Sequence, residues 1–170
     1  GEVVENFLRE HGKCVDVKIS TEGHLFYGFT ALQYATELGH ENIVQILLKA
    51  GASVNARIES YGHPYHGFTA LLLAASRGNA SMENILLSRG ANVDIPVYNL
   101  EGNFHGFTPL IFAAFYNNLD SVRFILKFKP NVEYVLDNPT HPYHGLDAVQ
   151  IAIRKNFDEV VKLLLPRVSN

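Results

Sequence analysis

The chain has 170 residues, enough for about one domain, with 47% hydrophobic and 18% charged residues, a balance that supplies a core and excludes a disordered chain. A net charge of −3 argues against a general nucleic-acid binder, which carries a basic stripe for phosphates. No apolar run approaches the roughly 18 residues of a membrane helix, so no membrane insertion is expected, and the single cysteine, Cys14, cannot close an internal disulfide and fits a reducing compartment.

The chain starts at Gly1 with no signal peptide, which reads as an excised piece of a longer protein. Its first segment, "VENFLREHGKCVD" from Val4, has the pattern of the second helix of a helix pair. Val4, Phe7 and Leu8 there want a preceding helix to cover them. A Gly then follows a finger-like segment at Gly28, and the phrase "GFTALQYA" opens a new helix. The same opening returns as "GFTALLLAA" at Gly67, "GFTPLIFAA" at Gly106 and "GLDAVQIA" at Gly145, each 39 residues after the last. Fixed self-similarity at this period means stacked supersecondary units, none able to bury its apolar face alone.

Within each unit the helix signals are explicit. Thr30, Thr69, Thr108 and Asp147 stand at N-cap positions, where a side-chain oxygen accepts from a free backbone N–H. Pro109 falls at the first helical position, where its missing N–H costs nothing. The first helices end at Gly39, Gly78, Asn117 and Asn156, residue types that tolerate a left-handed C′ conformation. The second helices carry Ile46, Leu47 and Leu48, then Ile85, Leu86 and Leu87, then Phe124, Ile125 and Leu126, and stop at Gly51 and Gly90. Ala35, Ala74, Ala75, Ala113, Ala114 and Ala152 let neighbouring pairs approach closely. Lys155, Asp158, Glu159, Lys162 and Arg167, with Pro166 stopping the helix, give the last unit a polar end.

"G-x-T-A/P-L-x-x-A" followed by "I-L-L-x-x-G-A-x-V-N/D" resembles the ankyrin repeat, a helix pair plus β-turn of about 33 residues. The resemblance covers nearly the whole chain. It implies an all-α repeat solenoid, here with ankyrin repeats lengthened to 39 residues by extended β-hairpin fingers. One domain over 1–170 is expected, divided into a partial N-terminal repeat (1–27), full repeats (28–66, 67–105 and 106–144) and a C-terminal capping repeat (145–170). Two departures stand out. Gln33, Leu72, Ile111 and Gln150 replace the family's helix-opening His, which predicts a lost side-chain tether. Lys129 and Pro130 replace Gly-Ala, which predicts a distorted turn.

The surplus of about six residues per unit lies in the fingers, whose ends read "GHLFYG", "HPYHG", "GNFHG" and "HPYHG". Two positions before the glycine stand Phe26, Tyr65, Phe104 and Tyr143. One position before it stand Tyr27, His66, His105 and His144, and just after it Phe29, Phe68, Phe107 and Leu146. The resemblance implies that these finger columns and the ends of the first helices form a concave binding surface. The helix contributors would be Thr36, Glu37, Ser76, Arg77, Phe115, Tyr116, Arg154 and Lys155. Aromatics suit such a surface because they give rigid area at low entropic cost. The Phe26 column reads equally as packing between fingers, the Phe29 column as local packing beside a helix cap, and the His66 column as outward contact.

Chemistry beyond binding has little footing. No G-x-S-x-G, H-E-x-x-H or P-loop pattern occurs. Cys14 and His11 are no nucleophile pair on sequence alone. His63 with His66, and His141 with His144, lack the further ligands that zinc needs, so neither metal nor cofactor is expected. Glu5 and Glu83 sit in a column that otherwise holds Val44, Val122 and Val161, which predicts a partly exposed helix edge. The expected function is a non-catalytic protein–protein interaction scaffold that binds a protein or peptide partner through its concave groove and finger tips, as a monomeric array within a longer chain. The rival is a regulatory or substrate-targeting module of a larger enzyme or effector. The resemblance extends to eukaryotic ankyrin proteins and to effectors that intracellular bacteria deliver to hosts, so an intracellular location is expected: cytoplasm, nucleus or host cytosol. It also marks Asn55 as the residue type that animal cells hydroxylate in this family.

Overall fold

In a computed structural model, residues 15–20 and 23–168 are described. The sequence features at Val4, Glu5, Phe7, Leu8, His11 and Cys14 lie outside them. Eight α-helices form among the described residues, in four antiparallel pairs: α1 (Ala31–Glu37) with α2 (Glu41–Lys49), α3 (Ala70–Arg77) with α4 (Ala80–Ser88), α5 (Pro109–Phe115) with α6 (Leu119–Leu126), and α7 (Ala148–Arg154) with α8 (Asp158–Leu164). A short 3₁₀ turn, Leu165–Arg167, contains Pro166 and ends the array. None of these helices is long and apolar enough to cross a membrane.

The first helices stack on one another in the order α1, α3, α5, α7, and the second helices stack as α2, α4, α6, α8. One continuous interior results. Leu71, Leu72, Leu73 and Ala75 of α3 are buried between their neighbours, as are Leu110, Ile111, Phe112 and Ala114 of α5. This is the solenoid logic: each pair is covered only by the pairs beside it. An all-α repeat solenoid is therefore the architecture.

The helix termini follow their local chemistry. Thr30, Thr69, Thr108 and Asp147 each accept from the backbone N–H three residues on. At both ends of the array the box is reciprocal, with Gln33 and Gln150 reaching back to the cap amides, so two orphan donors are satisfied together. Gln33 goes further: its Nε2 donates to Ala56 O across 2.8 Å. The expected loss of a tether is thus corrected at this position, because the glutamine amide supplies both an acceptor for the cap and a donor for the next turn. Asn117 and Asn156 take left-handed φ values of 58° and 59° beside 73° at Gly39 and 65° at Gly78.

The turn at Lys129 is altered, as expected: α6 ends at Leu126, one register position earlier than α2 at Lys49 and α4 at Ser88. Lys129 adopts φ 52°, the same region as Gly51 and Gly90, and carries the strain of a Cβ there. What is lost is a bond. Ala52 and Ala91 donate to Leu47 O and Leu86 O at 3.0 and 3.1 Å, whereas Pro130 has no N–H to give.

Glu83 corrects a second expectation. It does not lie on an exposed edge: the residue is fully buried. Its Oε1 accepts from the Ser121 hydroxyl of α6 at 2.7 Å, and its Oε2 has no partner. Burial pushes this carboxyl up to about 7, the Ser121 bond working in the opposite direction.

The fingers differ most from expectation. The long insertions are expected to form extended β-hairpins, but no strand forms among the described residues, where Lys18–Thr30 is an isolated bridge. Each finger is closed at its base by two backbone bonds around one glycine. Ile58 N–H donates to Phe68 O at 2.8 Å and Gly67 N–H donates to Ile58 O at 2.9 Å. The pattern repeats at Ile19 with Gly28 and Phe29, at Val97 with Gly106 and Phe107, and at Leu136 with Gly145 and Leu146. Two residues thus oppose one, with a left-handed glycine first, which is a G1-type bulge. Above it the chain winds through turns such as His63 N–H to Ser60 O and His66 N–H to His63 O. These turns use the amides that a ladder would need.

The glycine column is fixed by space as well as by φ. A Cβ on Gly67 would sit 2.1 Å from Tyr98 O in the next finger, and one on Gly28 2.8 Å from Glu59 O. At Gly145, in the last unit, nothing lies within 4 Å.

Candidate functional site

The end of each first helix lies beside the finger base that precedes it, and this seam gathers several of the residues singled out by sequence. In the first two units it brings together Glu37, Tyr65 and Arg77. The Arg77 guanidinium is ion-paired with Glu37 and donates to the Tyr65 hydroxyl at 2.8 Å, while that hydroxyl faces Glu37 Oε1 at 3.4 Å. The Glu37 side chain is only 7% exposed, against 55% for Arg77. The hydrogen bond that Arg77 donates to Glu37 holds the guanidinium above its ordinary pKa. Burial, with the Glu37 charge beside it, raises the Tyr65 phenol. Arg77 is therefore a fixed cation whose outer face is wet.

In the third and fourth units the seam is aromatic and basic. Phe115 meets Tyr143 edge-on at 5.7 Å, and the Lys155 ammonium lies 4.0 Å from the Phe115 ring centre. Arg154 lies 5.3 Å from the Tyr143 ring and donates to Pro142 O. Tyr116 stands 43% exposed beside them, its ring parallel to the buried Phe112 at 6.3 Å.

The column of Phe26, Tyr65, Phe104 and Tyr143 is half-buried throughout. Phe26 packs on Phe29 and Tyr34 at 5.3 and 4.8 Å, and Phe104 on Phe107 and Phe112 at 5.4 and 5.2 Å. Tyr65 reaches back to Phe29 at 6.2 Å as well as to Phe68 at 5.3 Å. These rings fill the joint between finger and helix, and pairs of this kind contribute about 0.5–1.5 kcal/mol each beyond their area. Behind them Phe29, Phe68 and Phe107 are fully buried.

The histidine column has a common hydrogen-bond role that sequence reasoning missed. Nδ1 of His66 accepts from Ser60 N–H at 3.2 Å, Nδ1 of His105 from Asn99 N–H at 3.3 Å, and Nδ1 of His144 from Asn138 N–H at 3.2 Å. A second set, His24, His63 and His141, accepts from the amide two residues later. A ring that accepts at Nδ1 carries its proton at Nε2. The outward atom is then an N–H donor, and His63 uses it on Leu25 O of the previous finger at 2.8 Å. A metal would need a lone pair at that atom, with the proton moved to Nδ1 against an amide N–H. The repeated six-residue spacing from donor amide to accepting ring was the signal available in the sequence.

Tyr27 lies apart from the seam, lining an open cleft between the first two fingers with His24, Tyr61 and His63. Tyr61, Tyr98, Leu100 and Glu101, none of them in the aligned columns, line a second cleft one finger further on.

The turns at the opposite end of each finger are stitched by side chains. Asp16 Oδ1 accepts from Ser53 N–H, Asn55 Oδ1 from Asn92 N–H and Asp94 Oδ1 from Asn131 N–H, at 2.9, 2.8 and 2.8 Å. Asn55 also donates to Gly90 O at 3.3 Å. The site is thus built on a stack whose successive units are tied to one another at these turns.

Comparison with known proteins agrees with this architecture. A family model described as three ankyrin repeats matches residues 58–134 and 94–170, and a single ankyrin-repeat model matches residues 27–59. No curated protein matches the chain.

Proposed function

The chain belongs to the ankyrin-repeat family, a family of protein–protein interaction modules, and we propose that it is a non-catalytic scaffold that binds a partner protein or peptide along its finger–helix seam and finger tips. The observation that carries this reading is the row of pre-ordered groups facing solvent at the seam. Arg77 is held by Glu37 and Tyr65, Tyr116 is stacked on Phe112, and Arg154 and Lys155 are set over Tyr143 and Phe115. Side chains fixed before encounter lose little entropy on binding. Fixed cations alternating with aromatic faces suit an extended segment that offers carboxylates and apolar side chains in turn.

The finger columns Phe26, Tyr27, Tyr65, His66, Phe104, His105, Tyr143 and His144 contribute in two ways under this reading. The half-buried rings set the angle of each finger, and the exposed edges of the outer residues give contact. The scaffold works as a monomeric array inside the cell, a setting supported by its lone cysteine.

The test is capture of a partner by the intact chain, beside a variant carrying Tyr116→Ala, Arg154→Ala and Lys155→Ala. These positions lie at or near the surface, so the variant should melt with the parent. Loss of a saturably bound partner supports the seam; full retention by a folded variant refutes it.

A further inference from the structure

The tips of the second and third fingers enclose an open cleft of about 150 Å³. Tyr61 and Tyr98 stand as its walls, with His66, Leu100 and Glu101 completing the lining. Tyr61 is 91% exposed, Leu100 74% and Tyr98 59%, so large apolar bodies face water. The walls are not loose. Tyr61 lies 4.6 Å from the His66 ring, which the Ser60 amide holds in place. Tyr98 meets His105 edge-on at 5.7 Å, and the Asn99 amide holds that ring.

The charge of the cleft is one-sided. Glu101 is its acid, and no Lys or Arg lines it. The ion pairs found among the described residues are Lys18–Glu59, Arg77–Glu37, Arg123–Asp120 and Lys162–Glu159, so Glu101 is in none of them. Glu59, on the same finger as Tyr61, is already neutralised by Lys18, whose bond and charge lower its pKa. An uncompensated carboxylate thus sits beside two exposed aromatic faces.

We propose that this cleft takes an arginine side chain from the partner. A guanidinium is planar, so it lies flat against a tyrosine face, and it presents paired N–H donors to one carboxylate. A lysine ammonium has no plane to stack and keeps its water more tightly. The assignment rests on the scaffold reading and adds to it the chemistry of one anchor. The seam carries Arg77, Arg154 and Lys155 and this cleft carries Glu101, so a partner segment that spans both carries opposite charges in that order.

The experiment titrates the isotope-labelled chain with N-acetyl-arginine amide, with the lysine analogue and with the uncharged isostere N-acetyl-citrulline amide, following the resonances of Tyr61, Tyr98 and Glu101. The arginine amide should give saturable shifts at all three, with affinity reduced about five-fold or more by E101Q and by Y98A. Citrulline amide should give no saturation, and the lysine analogue a weaker curve. Equal curves for arginine and citrulline, or arginine affinity within about two-fold of the parent in a folded E101Q chain, would overturn the proposal. So would a lysine curve matching that of arginine. The readout is confined to the finger tips. A seam that captures nothing leaves it unchanged, and an arginine titration that fails leaves capture through Tyr116, Arg154 and Lys155 untouched.

Discussion

The carboxylate of Glu83 and the hydroxyl of Ser121 meet at 2.7 Å inside the stack, one bond from α6 serving a fully buried acid of α4 whose other oxygen has no partner. Desolvation is the largest influence on this acid, and the Ser121 bond offsets only part of it.

Stability should therefore fall as pH rises from roughly 4.3 to about 7 and level off above that. The folded carboxyl titrates at about 7, the unfolded one at roughly 4.3. Between those values the folded chain binds the extra proton. The contribution is full below the unfolded value and is lost as pH climbs through the folded one. E83Q should remove this slope, shrinking the difference in unfolding free energy between pH 5 and pH 8 by on the order of 2–3 kcal/mol. Urea titrations at the two pH values measure it; parallel slopes for parent and variant would count against the buried acid.

Alanine at Gly67 and at Gly145 should separate strain from clash. Both glycines are left-handed, so each substitution costs about 1–2 kcal/mol for the backbone alone. Gly67 has Tyr98 O in the way, and Gly145 has nothing within 4 Å. G145A should lose about that amount and G67A clearly more. Thermal melts of the two variants decide the point, and equal losses would mean that the fingers do not touch as described.

Lys129→Gly should stabilise the third turn by about 0.5–1 kcal/mol, because Lys129 sits at φ 52° where Gly51 and Gly90 stand in the earlier units. A drop in midpoint denaturant concentration would contradict it.

The inter-unit stitch predicts a ranking at Asn55. N55A removes both the acceptor for Asn92 N–H and the donor to Gly90 O and should cost about 1–2 kcal/mol. N55D keeps the acceptor, as Asp16 and Asp94 do in their units, and should cost less than half of that. Unfolding curves of the pair give the ranking directly.

Much of this architecture was legible in the sequence. Threonine caps, left-handed helix ends and the glycine column act over three or four residues, and the structure keeps them where the local chemistry puts them. The column of small and branched residues gave the stacking of first helices for the same reason. The fingers were not legible to that depth. Counting showed that about six residues were surplus, but not that His66, His105 and His144 would take up amides of their own loops and leave no strand. The burial of Glu83 was hidden too, since its column suggested an edge and only the approach of Ser121 closed it.

The residues on their own determined the repeat: its period of 39, its helix boundaries and its apolar faces, because each depends on neighbours along the chain. Only the stacked structure decided who touches whom between units. Asp16 meets Ser53, Asn55 meets Asn92 and Asp94 meets Asn131, each at a separation of 37. Tyr61 and Tyr98 share a cleft at the same interval, while Glu37 meets Arg77 at 40. Aligned columns name equivalent residues, but packed units are offset against one another, so the pairs that make a surface fall between the columns.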